Sequence, residues 1–428
     1  MLLANAAAVV EKKKLKKFRA TFVVPVVALA GVVAVGASAA SQTSHTSAGH
    51  KSHSTAAVHH AGVVGKHSTG AAGHEATHGT VSGMHGHGRT ASVVVHHYGE
   101  RFTTSSFSNN ITDGDVTTGE DPVVRAAAIE ALGNMNGTAL AIDPSSGRIL
   151  AMVNQKLALS SGAEPCSTIK VAVALAGLSE GLIKSDTPVN LGGHYSLDLT
   201  HALAKSVNLY FEVLGRAMGF ERVKHYANLF GLGELAGFNI PGEQLGTYPD
   251  TELPIAQGGV GRMCSFGESI SMTPLQLGAL VSAIANGGTL YYLQHPTTPE
   301  TIASFEPKVK RLLDIKAVIP EIMPGMQGAV NFGTARSLRT NFVQFPVFGK
   351  TGTCSNNGTR YGWFVSYGDS PTGRIVTVIF LEGGREMFGP KAAELTGEFY
   401  RAMYEHSYFS PKAPVTTAST AAESPAAQ

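Results

Sequence analysis

The sequence contains little charge, few cysteines and a single tryptophan. Only 15% of its 428 residues are charged, against roughly 25% in an average soluble domain, and the formal net charge is +2. This balance argues against a nucleic-acid-binding protein, which needs a clustered basic surplus. The three cysteines, Cys166, Cys264 and Cys354, exclude a disulfide-framework fold and form no Cys-x-x-Cys pair for zinc. At most one disulfide can form.

The N-terminal region contains a basic cluster followed by a long uncharged run. The cluster lies within residues 12–19, and residues 21–40 contain no charged side chain. Twenty such residues can span the ~30 Å hydrocarbon core of a membrane, and the basic flank stays on the cytoplasmic side. We therefore expect a cytoplasmic segment at 1–20, a single transmembrane anchor at 21–40 and an extracytoplasmic remainder. Ala37, Ser38 and Ala39 form an A-x-A site, so a cleaved signal peptide is the alternative.

Residues 41–120 are rich in Ser, Thr, Gly, Ala and His and hold twelve of the 17 histidines. Because their apolar content is too low to offset chain entropy, we expect a disordered tether, and a second disordered segment at 407–428. A chain beginning near Glu120 should then react like the full chain. The histidines are interpreted as a solvated spacer, with metal loading as the alternative. The match of His74 and His78 to HExxH requires a helix, which the neighbouring glycines disfavour.

Residues 121–406 show the patterns of a folded α+β domain. Asp121–Pro122 and Thr273–Pro274 predict helix starts, because each pairs a capping side chain with proline at the first helical position. Residues 166–175 are apolar nearly all round, so the lysine at the start of this buried helix needs a functional reason. The predicted helices cover residues 122–131, 166–175, 273–286 and 390–405, and the predicted strands cover 137–143, 148–153, 349–353, 362–367 and 374–381.

Three short motifs lie in order along this region. They are Ser167-x-x-Lys170, Ser206-Val207-Asn208 and Lys350-Thr351-Gly352. Each motif alone is weak, but the ordered set is typical of penicillin-binding proteins and serine β-lactamases. The last motif also resembles the end of a P-loop, but the position of the first loop glycine is Gln344, so no nucleotide cofactor is predicted.

The sequence resembles the transpeptidase domain of penicillin-binding proteins over residues 121–406. The resemblance implies a β-lactamase/transpeptidase-like antiparallel sheet flanked by helices, an all-helical lobe carrying Ser206-x-Asn208, and no cofactor or metal. Cys166 stands where the family usually has Gly, Glu268 stands where Gln is common, and low-complexity sequence replaces the family's pedestal domain. Further matching stretches are residues 140–153, 230–233, 241–243, 273–277, 285–288 and 363–365.

The motif residues suggest roles in acyl transfer. A serine hydroxyl needs an adjacent base, and Lys170 lies on the same helical face as Ser167. Burial and a second cation, Lys350, should lower the pKa of Lys170 so that a neutral amine accepts the proton. Ser206 can relay the proton to the leaving group, and Asn208 can donate to a substrate amide carbonyl.

The third motif suggests the substrate-binding side. Lys350 can hold a substrate carboxylate together with the hydroxyls of Thr351 and Thr353, next to Gly352. The resemblance assigns the oxyanion hole to the backbone N–H groups of Ser167 and Thr353.

Cys166 and Cys354 each neighbour one of these oxyanion-hole residues, so their backbones should be close. A disulfide also requires the right Cα separation and Cβ direction. We expect two buried thiols, with a disulfide as the alternative.

The resemblance implies a membrane-tethered peptidoglycan D,D-transpeptidase that acylates its serine with stem peptides ending in D-Ala-D-Ala and is inhibited by β-lactams. D,D-carboxypeptidase activity is also compatible. A serine β-lactamase is one alternative, although the Glu-x-x-x-Asn of class A enzymes is missing after Asn208 and class D enzymes have an apolar residue at that position. A non-catalytic sensor of penicillin or muropeptides is another.

Overall fold

The computed structural model describes residues 101–411. The predicted membrane segment at 21–40 and the tether up to residue 100 lie outside these residues. Within the described part, no helix combines the length and the apolar character that crossing a membrane requires.

A five-stranded antiparallel sheet forms the centre of the domain, in the spatial order β2-β1-β9-β8-β7. Two small two-stranded sheets, β3-β4 and β5-β6, lie outside it. The strands are β1 (Gly137–Asp143), β2 (Arg148–Val153), β3 (Val189–Gly192), β4 (Tyr195–Leu197), β5 (Thr289–Tyr291), β6 (Val309–Leu312), β7 (Val347–Asn356), β8 (Thr359–Ser370) and β9 (Gly373–Gly383).

Helices flank the sheet and form a lobe beside it. The α-helices are α1 (Pro122–Leu132), α2 (Gln155–Ala158), α3 (Lys170–Ser179), α4 (Leu199–Ala204), α5 (Asn208–Met218), α6 (Phe220–Leu229), α7 (Gly259–Phe266), α8 (Pro274–Asn286), α9 (Pro299–Ala303), α10 (Ile319–Asn331) and α11 (Gly389–Glu405). Short 3-10 turns cover Cys166–Ile169, Ile255–Gln257 and Arg336–Thr340. The part that carries Ser206 and Asn208 was expected to be all-helical, but it also contains the hairpin β3-β4, which precedes α4 and contacts α5.

The sheet is buried on both faces. Along β8, Trp363 and Val365 belong to the core that contains α3 and α8, whereas Phe364 between them belongs to the core that contains α1 and α11. β9 alternates in the same way, because successive side chains of a strand point to opposite faces. The predicted α+β architecture is thereby confirmed for the described residues.

Local sequence signals set the ends of two helices as expected. The Asp121 carboxylate accepts hydrogen bonds from the first backbone N–H groups of α1, and Pro122 is its first residue. At α8, Thr273 and Gln276 form a reciprocal capping box, and Gly287 ends the helix with φ 95°. Both predicted helix starts are confirmed.

The beginning of the ordered domain differs from the sequence-based expectation. Residues 101–120, assigned above to the disordered tether, pack on the domain, and Phe107 forms a β-bridge with Met135. The Asp115 carboxylate binds the Arg125 guanidinium at 2.7 Å and accepts the backbone N–H of Gln155 at 2.8 Å. The assigned boundary is wrong because polar contacts, which a low apolar content does not reveal, hold the segment in position.

The C-terminal boundary of the folded domain also differs from the sequence-based expectation. Phe409 is buried and packs against Phe345 with ring centroids 4.8 Å apart, so residues 407–411 of the expected disordered tail belong to the folded domain. Residues 412–428 lie outside the described range.

The Asp115 network predicts that the early segment stabilises the domain. In the full chain, Asp115→Ala should lower the free energy of unfolding by roughly 3 kcal/mol, because it leaves a largely buried Arg125 without one carboxylate partner. Thermal unfolding of the variant measures this loss. The exposed Asp113→Ala is the matched control and should change stability little. Equal melting temperatures for the two variants would contradict the assignment of residues 101–120 to the folded domain.

Candidate active site

Ser167 lies in a 3-10 turn that leads directly into α3. Such a turn brings residues three positions apart into line, and Ser167 Oγ accepts a hydrogen bond from Lys170 Nζ at 2.6 Å. Lys170, the first residue of α3, is 0% exposed. The sequence predicted one continuous helix from residue 166, but Cys166 has a left-handed backbone (φ 51°), which an α-helix does not accommodate.

Ser206 lies in the turn between α4 and α5, and Asn208 is the first residue of α5. Ser206 itself has φ 57°, and this left-handed residue reverses the chain so that both side chains reach Lys170. Lys170 Nζ donates to Asn208 Oδ1 at 2.6 Å and contacts Ser206 Oγ at 3.2 Å. Because the Asn208 oxygen is occupied by this bond, its amide nitrogen is the group left to donate to a ligand.

Lys350 reaches the same hydroxyl from the edge strand β7. Its Nζ donates to Ser206 Oγ at 2.8 Å and to the Thr351 carbonyl at 2.9 Å, and the side chain is fully buried. A Cβ on Gly352 would lie 2.8 Å from the Pro165 carbonyl oxygen, so only glycine lets β7 approach the turn that carries Ser167 this closely. The structure thus brings the three predicted motifs together.

Burial controls the charge of both lysines. Desolvation lowers the pKa of Lys170 to about 7, and the Glu212 carboxylate opposes this shift. Desolvation, and after it the charge of Lys170, lowers the pKa of Lys350 well below its usual value. The two amines share Ser206, and among the described residues no carboxylate hydrogen-bonds to either of them, so no direct counter-charge favours two ammonium ions in this buried pair.

Two hydroxyl contacts organise the β7 side. Thr351 Oγ1 lies 2.6 Å from Thr334 Oγ1, and the Thr334 N–H donates to the Ala204 carbonyl. Thr334 therefore links β7 to the end of α4, two residues before Ser206. Thr334 was not predicted from the sequence, because no spacing signal marks a contact made by the loop after α10. The exposed Thr353 accepts the N–H of Gly389 at 2.8 Å.

The expectation of two buried thiols is wrong. Cys166 and Cys354 form a disulfide with Cα atoms 5.5 Å apart, a distance that suits a bridge. The remaining cysteine, Cys264, is a free buried thiol. The bridge could not be predicted firmly because the proximity of two backbones does not fix their Cβ directions.

Glu268, the other departure from the family pattern, pairs with Arg262 at 2.7 Å near the surface. Among residues 101–411, no group of three His, Cys, Asp or Glu side chains is arranged to hold a metal. The His-rich tract up to residue 97 lies outside the described part.

This geometry defines a class of site. A hydroxyl within hydrogen-bond distance of a buried amine, whose pKa lies near neutrality, can be deprotonated for attack on an acyl carbon. Ser167 and Lys170 have that relation, and Ser206 connects them to a second amine. This is the arrangement of groups that an active-serine enzyme with a lysine base requires.

The profile of the penicillin-binding protein transpeptidase domain matches residues 137–401. The chain belongs to this family. Stage V sporulation protein D of Bacillus subtilis is 29% identical over 50% of this chain and 39% of its own length. Peptidoglycan D,D-transpeptidase MrdA of Acinetobacter baumannii is 23% identical over 71% of this chain and 55% of its own. Peptidoglycan D,D-transpeptidase PbpA of Mycolicibacterium smegmatis is 25% identical over 71% and 74%.

The match to the first two relatives thus spans about half or less of their length.

Among solved structures, a peptidoglycan glycosyltransferase from Burkholderia ambifaria aligns with a TM-score of 0.58 and 20% identity over 70% of this chain and all of that one. The transpeptidase domain of penicillin-binding protein 3 from Burkholderia pseudomallei aligns equally well, over 69% and 98%. At this identity the likeness shows the fold, an α+β transpeptidase fold with an antiparallel sheet flanked by helices.

The pKa of Lys170 predicts how acylation depends on pH. If the neutral amine is the base, the rate of acylation by benzylpenicillin should be low at pH 5, rise through a midpoint near pH 7 and level off above it. Stopped-flow acylation kinetics across this range measure the midpoint.

A charge variant tests the assignment of that midpoint. Glu212 raises the pKa of Lys170, so Glu212→Gln should move the midpoint to lower pH. Glu221→Gln, an exposed acid on α6, is the matched control and should leave it in place. A rate that does not change between pH 5 and 8 would exclude Lys170 as the base.

Proposed function

We propose that this protein is a peptidoglycan D,D-transpeptidase that works through an acyl-enzyme on Ser167. The observation that carries the proposal is the continuous hydrogen-bonded array from Ser167 through Lys170 and Ser206 to Lys350, built from two buried amines. Membership of the family and the names of the relatives MrdA and PbpA support it.

Acylation begins with the proton of Ser167. A neutral Lys170 accepts this proton while Oγ bonds to the carbonyl carbon of the penultimate D-Ala of a stem peptide ending in D-Ala-D-Ala. The negative charge that develops on the carbonyl oxygen is held by the backbone N–H groups of Ser167 and Thr353. These two amides belong to the nucleophile turn and to β7, which meet at Gly352.

Collapse of the tetrahedral intermediate breaks the C–N bond to the terminal D-Ala. The leaving nitrogen needs a proton, and Ser206 Oγ is within hydrogen-bond distance of both amines. Ser206 can therefore give its proton to the leaving group and take one from Lys170. A positioned proton donor of this kind contributes about 10²–10⁴-fold to a rate.

The β7 side of the site would bind the substrate's carboxylate end. The C-terminal carboxylate of the stem peptide would bind Lys350 in its ammonium form, together with the hydroxyls of Thr351 and Thr353. Asn208, whose amide nitrogen is available, would donate to an amide carbonyl of the peptide. A penicillin has a carboxylate and a strained amide in comparable positions, which accounts for inhibition by β-lactams.

The second half of the reaction transfers the acyl group to an amine. The amine of another stem peptide attacks the ester carbon, the new amide forms and Ser167 regains its proton. Water in place of the amine would give D,D-carboxypeptidase activity. We favour transfer. Fast hydrolysis of the acyl-enzyme requires an activated water, and the sequence has no Asp or Glu at a motif position that would activate one.

We also propose that residues 21–40 attach the protein to the cytoplasmic membrane, with the domain on the extracytoplasmic side. The uncharged run and the basic cluster before it support this orientation. The histidine-rich stretch that follows would then separate the domain from the bilayer.

The proposed acyl-enzyme predicts the fate of benzylpenicillin. Intact-mass analysis of the full chain should show one adduct on Ser167 that persists for minutes or longer. Ser167→Ala should form none, whereas the exposed Ser161→Ala, six residues earlier, should react normally. Lys170→Ala should slow acylation by a factor on the order of 10² or more, the usual scale for a lost general base.

A second measurement separates the alternatives. With a peptide ending in D-Ala-D-Ala and a D-amino acid as acceptor, mass spectrometry should detect the transfer product in excess of the hydrolysis product. Rapid turnover of penicillin would instead favour a β-lactamase. A stable Ser167 adduct without any reaction of the peptide would favour a sensor, and an adduct at another residue would refute the site assignment.

A further inference from the structure

The Cys166–Cys354 disulfide lies across the rim of the candidate active site. Cys166 directly precedes Ser167, and Cys354 directly follows Thr353, so one covalent bond joins the neighbours of both proposed oxyanion-hole residues. The two cysteines are 188 positions apart in the chain. The bond therefore connects the nucleophile turn to β7, two elements that the chain does not otherwise join here.

The backbone of Cys166 makes this bond relevant to chemistry. Its φ of 51° lies in the left-handed region, which residues with a Cβ rarely adopt. The peptide unit that follows Cys166 carries the N–H of Ser167. If Cys166 relaxed to an ordinary conformation, that peptide plane would rotate and the N–H would change direction. Some contact must hold Cys166 in this conformation, and the disulfide is attached to the residue itself.

The second amide, that of Thr353, is restrained by the pairing of β7 with β8 and by the Gly389 N–H that the Thr353 hydroxyl accepts. β7 is an edge strand, paired on one side with β8, and Thr353 and Cys354 lie near the solvent-exposed end of the strand. Beside the seam between β7 and the nucleophile turn, Gly352 approaches Pro165 closely, and Trp363 Nε1 of the neighbouring strand β8 donates to the Glu164 carbonyl at 3.1 Å. Among the described residues, close packing at Gly352 and this hydrogen bond from β8 thus accompany the covalent link between the two segments.

We propose that the Cys166–Cys354 disulfide positions the backbone N–H groups of Ser167 and Thr353, and that its reduction slows acylation of Ser167. The inference rests on the proposed function, because it concerns the rate of the same acylation step. The cysteines act as positioning residues, since neither sulfur is required to touch the substrate.

The redox step needs a dithiol reductant. One thiolate of the reductant attacks Cys354 Sγ, the member of the pair that is only partly buried, and Cys166 leaves as a thiolate that takes up a proton. The second thiol of the reductant then displaces Cys354 and becomes part of the reductant's own disulfide. Two electrons and two protons pass to the protein, and a disulfide oxidant reverses the exchange.

The test compares acylation by benzylpenicillin in the oxidised and the reduced full chain. Dithiothreitol is the reductant, and alkylation followed by mass analysis verifies that two additional thiols have formed. The acylation rate constant should fall at least tenfold on reduction and recover on reoxidation, because an oxyanion-hole donor is worth about 10²–10³ when removed outright. The final stoichiometry should stay at one adduct per chain, which distinguishes a displaced N–H group from a loss of folded protein.

Variants assign the effect to this bond. Cys166→Ser/Cys354→Ser should be as slow as the reduced wild type and insensitive to dithiothreitol. Cys264→Ala, which removes the free thiol and keeps the bridge, should respond to reduction like the wild type. Cys166→Gly/Cys354→Ala should be at least threefold faster than the double serine variant, because glycine adopts the left-handed conformation without a bond to hold it.

The possible failures are distinguishable. If the oxidised wild type forms no adduct on Ser167, the proposed function fails and takes this inference with it. If the adduct forms within twofold of the same rate in both verified redox states, only the inference fails. A stoichiometry that falls in proportion to the rate would also overturn it, since the disulfide would then hold the fold rather than the amides.

Discussion

Two fully buried lysine side chains meet at one serine hydroxyl, and the rest of the site is arranged around that constraint. Lys170 and Lys350 are removed from water, and their hydrogen-bond partners are hydroxyls, an amide and carbonyls rather than carboxylates. Burying a cation without a counter-ion is expensive, and the usual response is loss of the proton. Burial therefore favours the neutral form of the amine beside Ser167.

Holding these groups together requires three segments that are distant in the chain. The nucleophile turn, the α4–α5 turn and β7 each contribute one motif. All three pack against the core that contains α3 and α8. Both Cys166 and Ser206 have left-handed backbones. Strained residues persist where the surrounding structure over-determines them, which is common at functional sites. Here Cys166 directly precedes Ser167, and Ser206 itself contacts Lys170, so both strained residues lie at the hydrogen-bonded array.

Sequence patterns predicted this architecture where the signal is local. The caps at Asp121 and Thr273 depend on neighbouring residues alone, and these two helix starts were predicted correctly. The predicted strands at 349–353, 362–367 and 374–381 lie within the longer β7, β8 and β9. Contacts between segments that are distant in the chain could not be predicted from the sequence. The Thr334–Thr351 pair, the disulfide and the packing of residues 101–120 depend on where distant backbones come together.

The shared hydroxyl also couples substrate binding to catalysis under the proposed function. A substrate carboxylate that binds Lys350 stabilises its ammonium form, because opposite charges in a dry site attract strongly. Through Ser206, that positive charge lowers the proton affinity of Lys170 further and keeps the amine neutral beside Ser167. Binding of the carboxylate would thus favour the neutral, active form of Lys170. A peptide without a C-terminal carboxylate would therefore react more slowly as well as bind more weakly.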